Sequence, residues 1–112
     1  MKEDVKVGYS YTIKDLPMDE RPREKLKKYG VEALSNAELL AVIIRTGYAE
    51  DTAIDLANRI LSIDSSGIEF LSHATMEELM KIRGIGDCKA AQIQASIELG
   101  KRISSSREDK IK

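Results

Sequence analysis

The stretch that decides the fold is KIRGIGDCKAAQI, residues 81–93. Two glycines enclose a single isoleucine, basic side chains stand on both flanks, and the chain then resumes helical spacing. Glycine is the residue that tolerates positive φ and lets a backbone approach a partner without a Cβ in the way. An apolar residue held between two glycines predicts a tight turn pinned to a core by Ile85.

Upstream, TMEELMKI (75–82) opens with Thr75 three residues before Glu78, a capping box at a helix start. Downstream, Asp87 is placed to cap a long helix to about Arg102, with Ala90, Ile93, Ile97 and Gly100 along one face. Leu79, Ile82, Gly84, Ile85, Gly86, Ala90 and Ile93 thereby fill the pattern apolar-x-x-apolar-x-Gly-apolar-Gly-x-x-x-Ala-x-x-apolar. This is the register of a helix-hairpin-helix.

The chemistry of such a turn follows from its backbone. The helix after it presents unpaired N–H groups and the positive end of its macrodipole, a ready site for one phosphate. Lys89 stands one turn into that helix, and Lys81 and Arg83 lie on the approach side. The candidate phosphate site therefore comprises Lys81, Arg83, Gly84, Ile85, Gly86, Cys88 and Lys89, contacting nucleic-acid backbone rather than bases. Asp87 opposes it, because a carboxylate capping those N–H groups competes with a phosphate for them. The alternative is a turn that only joins two helices around a buried Ile85.

Forty residues earlier the same plan recurs. SNAELLAVIIRTG opens with Ser35 and Glu38 as a second capping box, and Glu38, Leu39, Leu40 and Val42 precede Glu78, Leu79, Met80 and Ile82 by forty positions. A helix over about 36–45 is expected, then one over about 52–63 carrying Ala53, Leu56, Ala57, Ile60, Leu61 and Ile63. The turn of this first copy, RTGYAED, has one glycine and two acidic residues, Glu50 and Asp51. It predicts a structural or protein-contacting hairpin instead of a phosphate site.

Beyond the repeat, DERPREKLKKYG predicts a short basic helix with Asp19 as cap, Pro22 in the first turn and Gly30 as stop. Residues 1–18 alternate weakly at Tyr9, Tyr11 and Ile13 and read as an extended arm. SSG at 65–67 breaks the chain, IEFLSHA reads as one helical turn, and SSSREDKIK as a polar linker or frayed tail. The expectation is an all-α fold: a tandem helix-hairpin-helix of five to six short helices over 19–103, an N-terminal arm over 1–18 and a tail over 104–112.

With 112 residues the chain supports one core plus tails. The formal net charge is −1, yet its distribution is uneven. Residues 20–29 carry five basic against two acidic groups and residues 79–112 eight against four, while residues 30–78 carry two basic and nine acidic groups. The basic flanks suit a polyanion, and the acidic middle suits a protein partner. One cysteine and one histidine leave no disulfide and no Cys/His metal set, so no cofactor or metal is expected. No triad or paired-carboxylate site is visible, and no enzymatic activity is expected of this chain. Cys88 reads as a small packing residue at a helix start, and His73 as a surface or capping residue. No run approaches the roughly 18 apolar residues of a membrane span, and the N-terminus lacks a signal-peptide core. A cytoplasmic protein, monomeric in isolation and without a membrane contact, is expected.

TIKDLP and ERPREKL, then LSNAELLAVIIRTG, then IRGIGDCKAAQIQASIELGKR together resemble the N-terminal region of the RadC family of bacterial DNA repair proteins. The resemblance covers roughly residues 12–103, with several separate motifs in order. It implies a tandem helix-hairpin-helix module preceding a JAB/MPN-type metal-binding domain. The histidine- and aspartate-bearing signature of that domain is absent here, so the chain reads as a fragment ending in the linker towards it. By analogy with other helix-hairpin-helix proteins the resemblance implies DNA binding, with Gly84, Gly86 and Lys89 as the phosphate site. Arg21, Arg23 and Lys25 of ERPREKL match as well and are possible additional basic contacts, although the family assigns them no role. Two functions stay open: a weak DNA-binding module without sequence specificity, and an interaction module positioning a catalytic domain that this chain lacks.

Overall fold

The computed structural model describes residues 21–44, 53–63, 65 and 67–111, and among them every regular element is a helix. The expected arm at 1–18, Asp19 and the first turn at 45–51 lie outside the described residues. The chain divides between Leu61 and Ser62 into two compact units, and each holds one copy of the repeat.

In the first unit, α1 spans Pro22–Tyr29, a 3-10 turn η1 spans Val31–Ala33, α2 spans Asn36–Ile44 and α3 spans Ala53–Leu61. The cap of α1 is Arg21 and not Asp19: its extended ψ of 138° is what a residue before proline adopts. Pro22 then occupies the first helical position, where no backbone donor is needed. The helix stops at Gly30, whose φ of 91° is one that side-chain-bearing residues rarely adopt and whose N–H donates to the Leu26 carbonyl at 2.8 Å.

The predicted capping box of α2 is present in full. Ser35 N–H donates to Glu38 Oε1 at 2.8 Å, and Glu38 N–H donates to Ser35 Oγ at 3.2 Å. α2 buries Leu40, Ala41 and Ile44, and α3 buries Ala53, Leu56, Ala57 and Ile60. Alanines on both faces bring the two helices together closely, while each buried leucine or isoleucine contributes about 1.5–3 kcal/mol. α3 ends two residues before Ile63, which stands exposed.

The second unit starts with a 3-10 helix η2, Gly67–Ser72, followed by α4, Met76–Met80, and α5, Asp87–Ile111. Phe70 and Leu71 point inward, and His73 lies edge-on to Phe70 at 6.0 Å. The capping box of α4 matches that of α2: Thr75 N–H donates to Glu78 Oε1 at 2.9 Å and Glu78 N–H to Thr75 Oγ1 at 3.0 Å. Two tertiary hydrogen bonds tie η2 and the following residues to α5, Gln94 Nε2 to the Ala74 carbonyl at 2.8 Å and Lys101 Nζ to the Ser72 carbonyl at 2.7 Å.

α5 runs past the expected end at Arg102 through the segment read as a linker. Glycine and proline are absent after Gly100, and an i,i+4 pair, Arg102 Nε to Glu98 Oε2 at 3.0 Å, supports the exposed turns. Its inward face is shorter than the sequence suggested. Ala90 and Ile93 are buried, Ile97 is half-buried and Gly100 is exposed.

Candidate functional site

The turn between α4 and α5 is built by a chain of short-range bonds. Lys81 N–H reaches the Glu77 carbonyl at 3.2 Å, Ile82 N–H the Leu79 carbonyl at 3.1 Å, and Ile85 N–H the Ile82 carbonyl at 3.0 Å. Only Gly84, with φ of 95°, takes the left-handed region there. Ile85 is 5% exposed and joins buried Leu79, Ile82, Ala90 and Ile93 in one core, so every apolar position of the predicted register is inward. The turn is thereby pinned from beneath, and its outer side faces solvent through Gly84 and Gly86.

The two glycines have different reasons to be glycine. Gly84 needs positive φ, which costs other residues roughly 1–2 kcal/mol. Gly86 does not adopt positive φ. A Cβ built on Gly86 would meet nothing within 4 Å. Neither backbone strain nor internal packing demands glycine at that position, and the space beside its backbone is open.

Gly86, and not Asp87, is the cap of α5. The first helical bond runs from Ala90 N–H to the Gly86 carbonyl at 3.0 Å, and Asp87 is the first residue of the helix itself. The amides at the head of α5, up to Lys89, therefore have no acceptor within the helix. Asp87 still places a carboxylate at that end, where its charge complements the helix dipole. Cys88 is exposed and does not pack, which corrects its expected role. Lys89 is half-buried, Lys81 and Arg83 are exposed, and the three belong to the same turn and helix start.

In the first unit, α1 does not offer all its basic residues to solvent. Lys25 Nζ donates to both carboxylate oxygens of Glu38 at 3.2 Å. This pair fastens α1 to the capping box of α2, so Lys25 acts as a structural clip. Burial would raise the Glu38 carboxyl, but the Ser35 N–H and the Lys25 ammonium outweigh it and hold Glu38 below its ordinary range. Arg21 is half-buried and Arg23 exposed. Nothing in the sequence signals the pairing of Lys25 with Glu38, since no local pattern links positions thirteen apart on different helices.

A groove of about 680 Å³ lies between the Leu71–Met76 segment and α5, with Leu79, Ile93 and Ile97 along its floor and Glu98 and Lys101 at its rim. Lys101 is engaged by the Ser72 carbonyl. Among the described residues no cluster of histidine, cysteine, aspartate or glutamate is placed to hold a metal ion, and no helix is long and apolar enough to cross a membrane.

A family model described as UPF0758 N-terminal matches residues 13–91. A UPF0758 protein of Alkaliphilus oremlandii is 55% identical over 97 residues, covering 86% of this chain and 42% of the relative. One from Moorella thermoacetica is 51% identical over 98 residues, covering 88% and 42%. The chain thus spans about two fifths of the length of the curated relatives it matches. No solved structure matches it. With the family model matching residues 13–91 and about half of the aligned positions identical to these relatives, the chain belongs to the UPF0758 N-terminal family.

Proposed function

We propose that this chain is the DNA-binding module of a RadC-like DNA repair protein, using its α4–α5 turn as a helix-hairpin-helix that holds backbone phosphates weakly and without sequence preference. The observation that carries this reading is Gly86. Its lack of a side chain serves neither φ nor packing, and it leaves the head of α5 open to an anion. Lys89 supplies charge on the same turn of helix, with Lys81 and Arg83 on the approach side. Backbone amides and a helix dipole recognise phosphate geometry and not base identity, so sequence discrimination is not expected.

The test is a titration of labelled duplex DNA at two salt concentrations. Two or three phosphates neutralised by the hairpin and by the Arg21–Arg23 region give a log-log salt slope of about −2 to −3, with a Kd on the order of 10⁻⁴ to 10⁻⁶ M. Lys89→Glu weakens binding on every sequence alike. Asp87→Asn strengthens it, because the repelling charge leaves the helix head while the backbone is unchanged. No binding at low salt, or indifference to both substitutions, rejects the reading.

One observation favours a second function. Leu99 and Ile103 stand one turn apart on α5 and are 61% and 55% exposed, beyond the last buried residue of that helix. Such a stripe, together with the acidic 30–78 segment, suits a module that contacts protein and positions the JAB/MPN-type domain that the RadC resemblance implies. Loss of partner binding on Leu99→Asp, with DNA binding undetectable, is the result that would put this function first.

A further inference from the structure

The C-terminal end of α1 exposes more apolar surface than its packing uses. Tyr29 is 58% exposed and Val31 is 55% exposed, on either side of Gly30, which itself leaves open space where a Cβ would stand. The aromatic ring is accompanied by positive charge. Lys28 Nζ lies 5.4 Å from the Tyr29 ring centroid, and Arg23 and Lys27 are exposed on the same short helix. The Lys27 contact with Glu24, at 3.8 Å between exposed groups, is too weak to hold that lysine from another anion.

Lysines in the last turn offset the negative end of a helix dipole by themselves. They do not require a solvated tyrosine next to them. An exposed ring and exposed apolar side chain among cations match one ligand chemistry well: a phosphodiester strand with an unpaired base, the base lying on the ring and the flanking phosphates on the lysines. Base faces inside a duplex are covered by their neighbours, so a stacking platform selects single strands, gaps and frayed ends.

We infer that Tyr29, with Lys27 and Lys28, is a stacking site for unpaired bases of nucleic acid. The inference rests on the DNA-binding reading only in needing a nucleic acid, because α1 belongs to the first unit and the α4–α5 turn to the second. The two sites can be perturbed one at a time. Tyr29 is exposed, so its truncation leaves no cavity in the core.

The test is fluorescence anisotropy at low salt with the whole 112-residue chain, using a labelled oligothymidylate and a blunt duplex of the same length. Tyr29→Ala weakens single-strand binding about five- to a hundred-fold, the range of one lost base stack. It leaves duplex binding within about two-fold, and Tyr29→Trp keeps single-strand affinity by restoring a ring. Lys89→Glu in parallel weakens the duplex and leaves the Tyr29 effect in place. If Tyr29→Ala changes both ligands equally or neither, or if Trp fails to replace Tyr, the stacking site is rejected. Should duplex binding persist and stay sensitive to Lys89 in that case, the hairpin reading survives alone; absence of binding to either ligand removes both.

Discussion

Serine at position 86 separates folding from phosphate binding. Position 86 caps α5, lacks positive φ and has open space for a Cβ. Serine is among the preferred caps, and relative to glycine it changes helix stability by only a few tenths of a kcal/mol in the favourable direction. Its hydroxyl would accept from an amide at the head of α5, which is the group that the phosphate needs. Exchanging a charged hydrogen bond for an internal cap costs binding about 1.5–3 kcal/mol, roughly ten- to a hundred-fold in Kd. Gly84→Ser is the contrasting variant. At φ of 95° it forces a side chain into the left-handed region and costs stability about 1–2 kcal/mol. That loss lowers Tm by about 4–8 °C per kcal/mol in a domain of this size class. Circular dichroism melts at 222 nm and anisotropy titrations of duplex DNA measure the two quantities independently. A Gly86→Ser variant that melts as low as Gly84→Ser refutes the local geometry described for position 86. A Gly86→Ser variant that folds well and binds duplex as tightly as the parent shows that the amides at the head of α5 are not the phosphate site.

Two further outcomes follow from the packing and the ion pair. Ile85→Asp places a carboxylate among Leu79, Ile82, Ala90 and Ile93 and should destabilise the chain by a few kcal/mol; a thermal melt matching the parent would show that Ile85 does not pin the turn. The lowered Glu38 carboxyl contributes stability that is fully present above its ordinary value of 4.5 and is lost as pH falls through the lowered value. Lys25→Met should flatten that acid-side loss and cost about 0.5–1 kcal/mol at neutral pH. Urea denaturation of parent and variant between pH 7 and pH 3 measures it, and parallel pH profiles would exclude the Lys25–Glu38 clip as the source.

Short-range chemistry made much of this fold legible in the sequence alone. Both capping boxes formed at the predicted pairs, Ser35–Glu38 and Thr75–Glu78, because a cap depends only on residues three apart at a helix start. The buried stripe of α3 and the inward set Leu79, Ile82, Ile85, Ala90 and Ile93 follow from helical periodicity, which is equally local. Tertiary structure decided the rest. Lys25 and Arg23 are equivalent in a sequence of basic residues, and only the approach of α1 to α2 pairs Lys25 with Glu38. Gly84 and Gly86 are equivalent in the motif, yet the path of the turn gives positive φ to the first alone. Asp87 has a capping side chain, but the helix begins one residue earlier than that assignment requires. The end of α5 depended on a balance too fine for pattern: three serines read as a linker, while the absence of any breaker and a Glu98–Arg102 pair let the helix continue. Local interactions announce themselves through fixed spacing; which polar group meets which, and which glycine bends, depends on where separate elements come to rest in space.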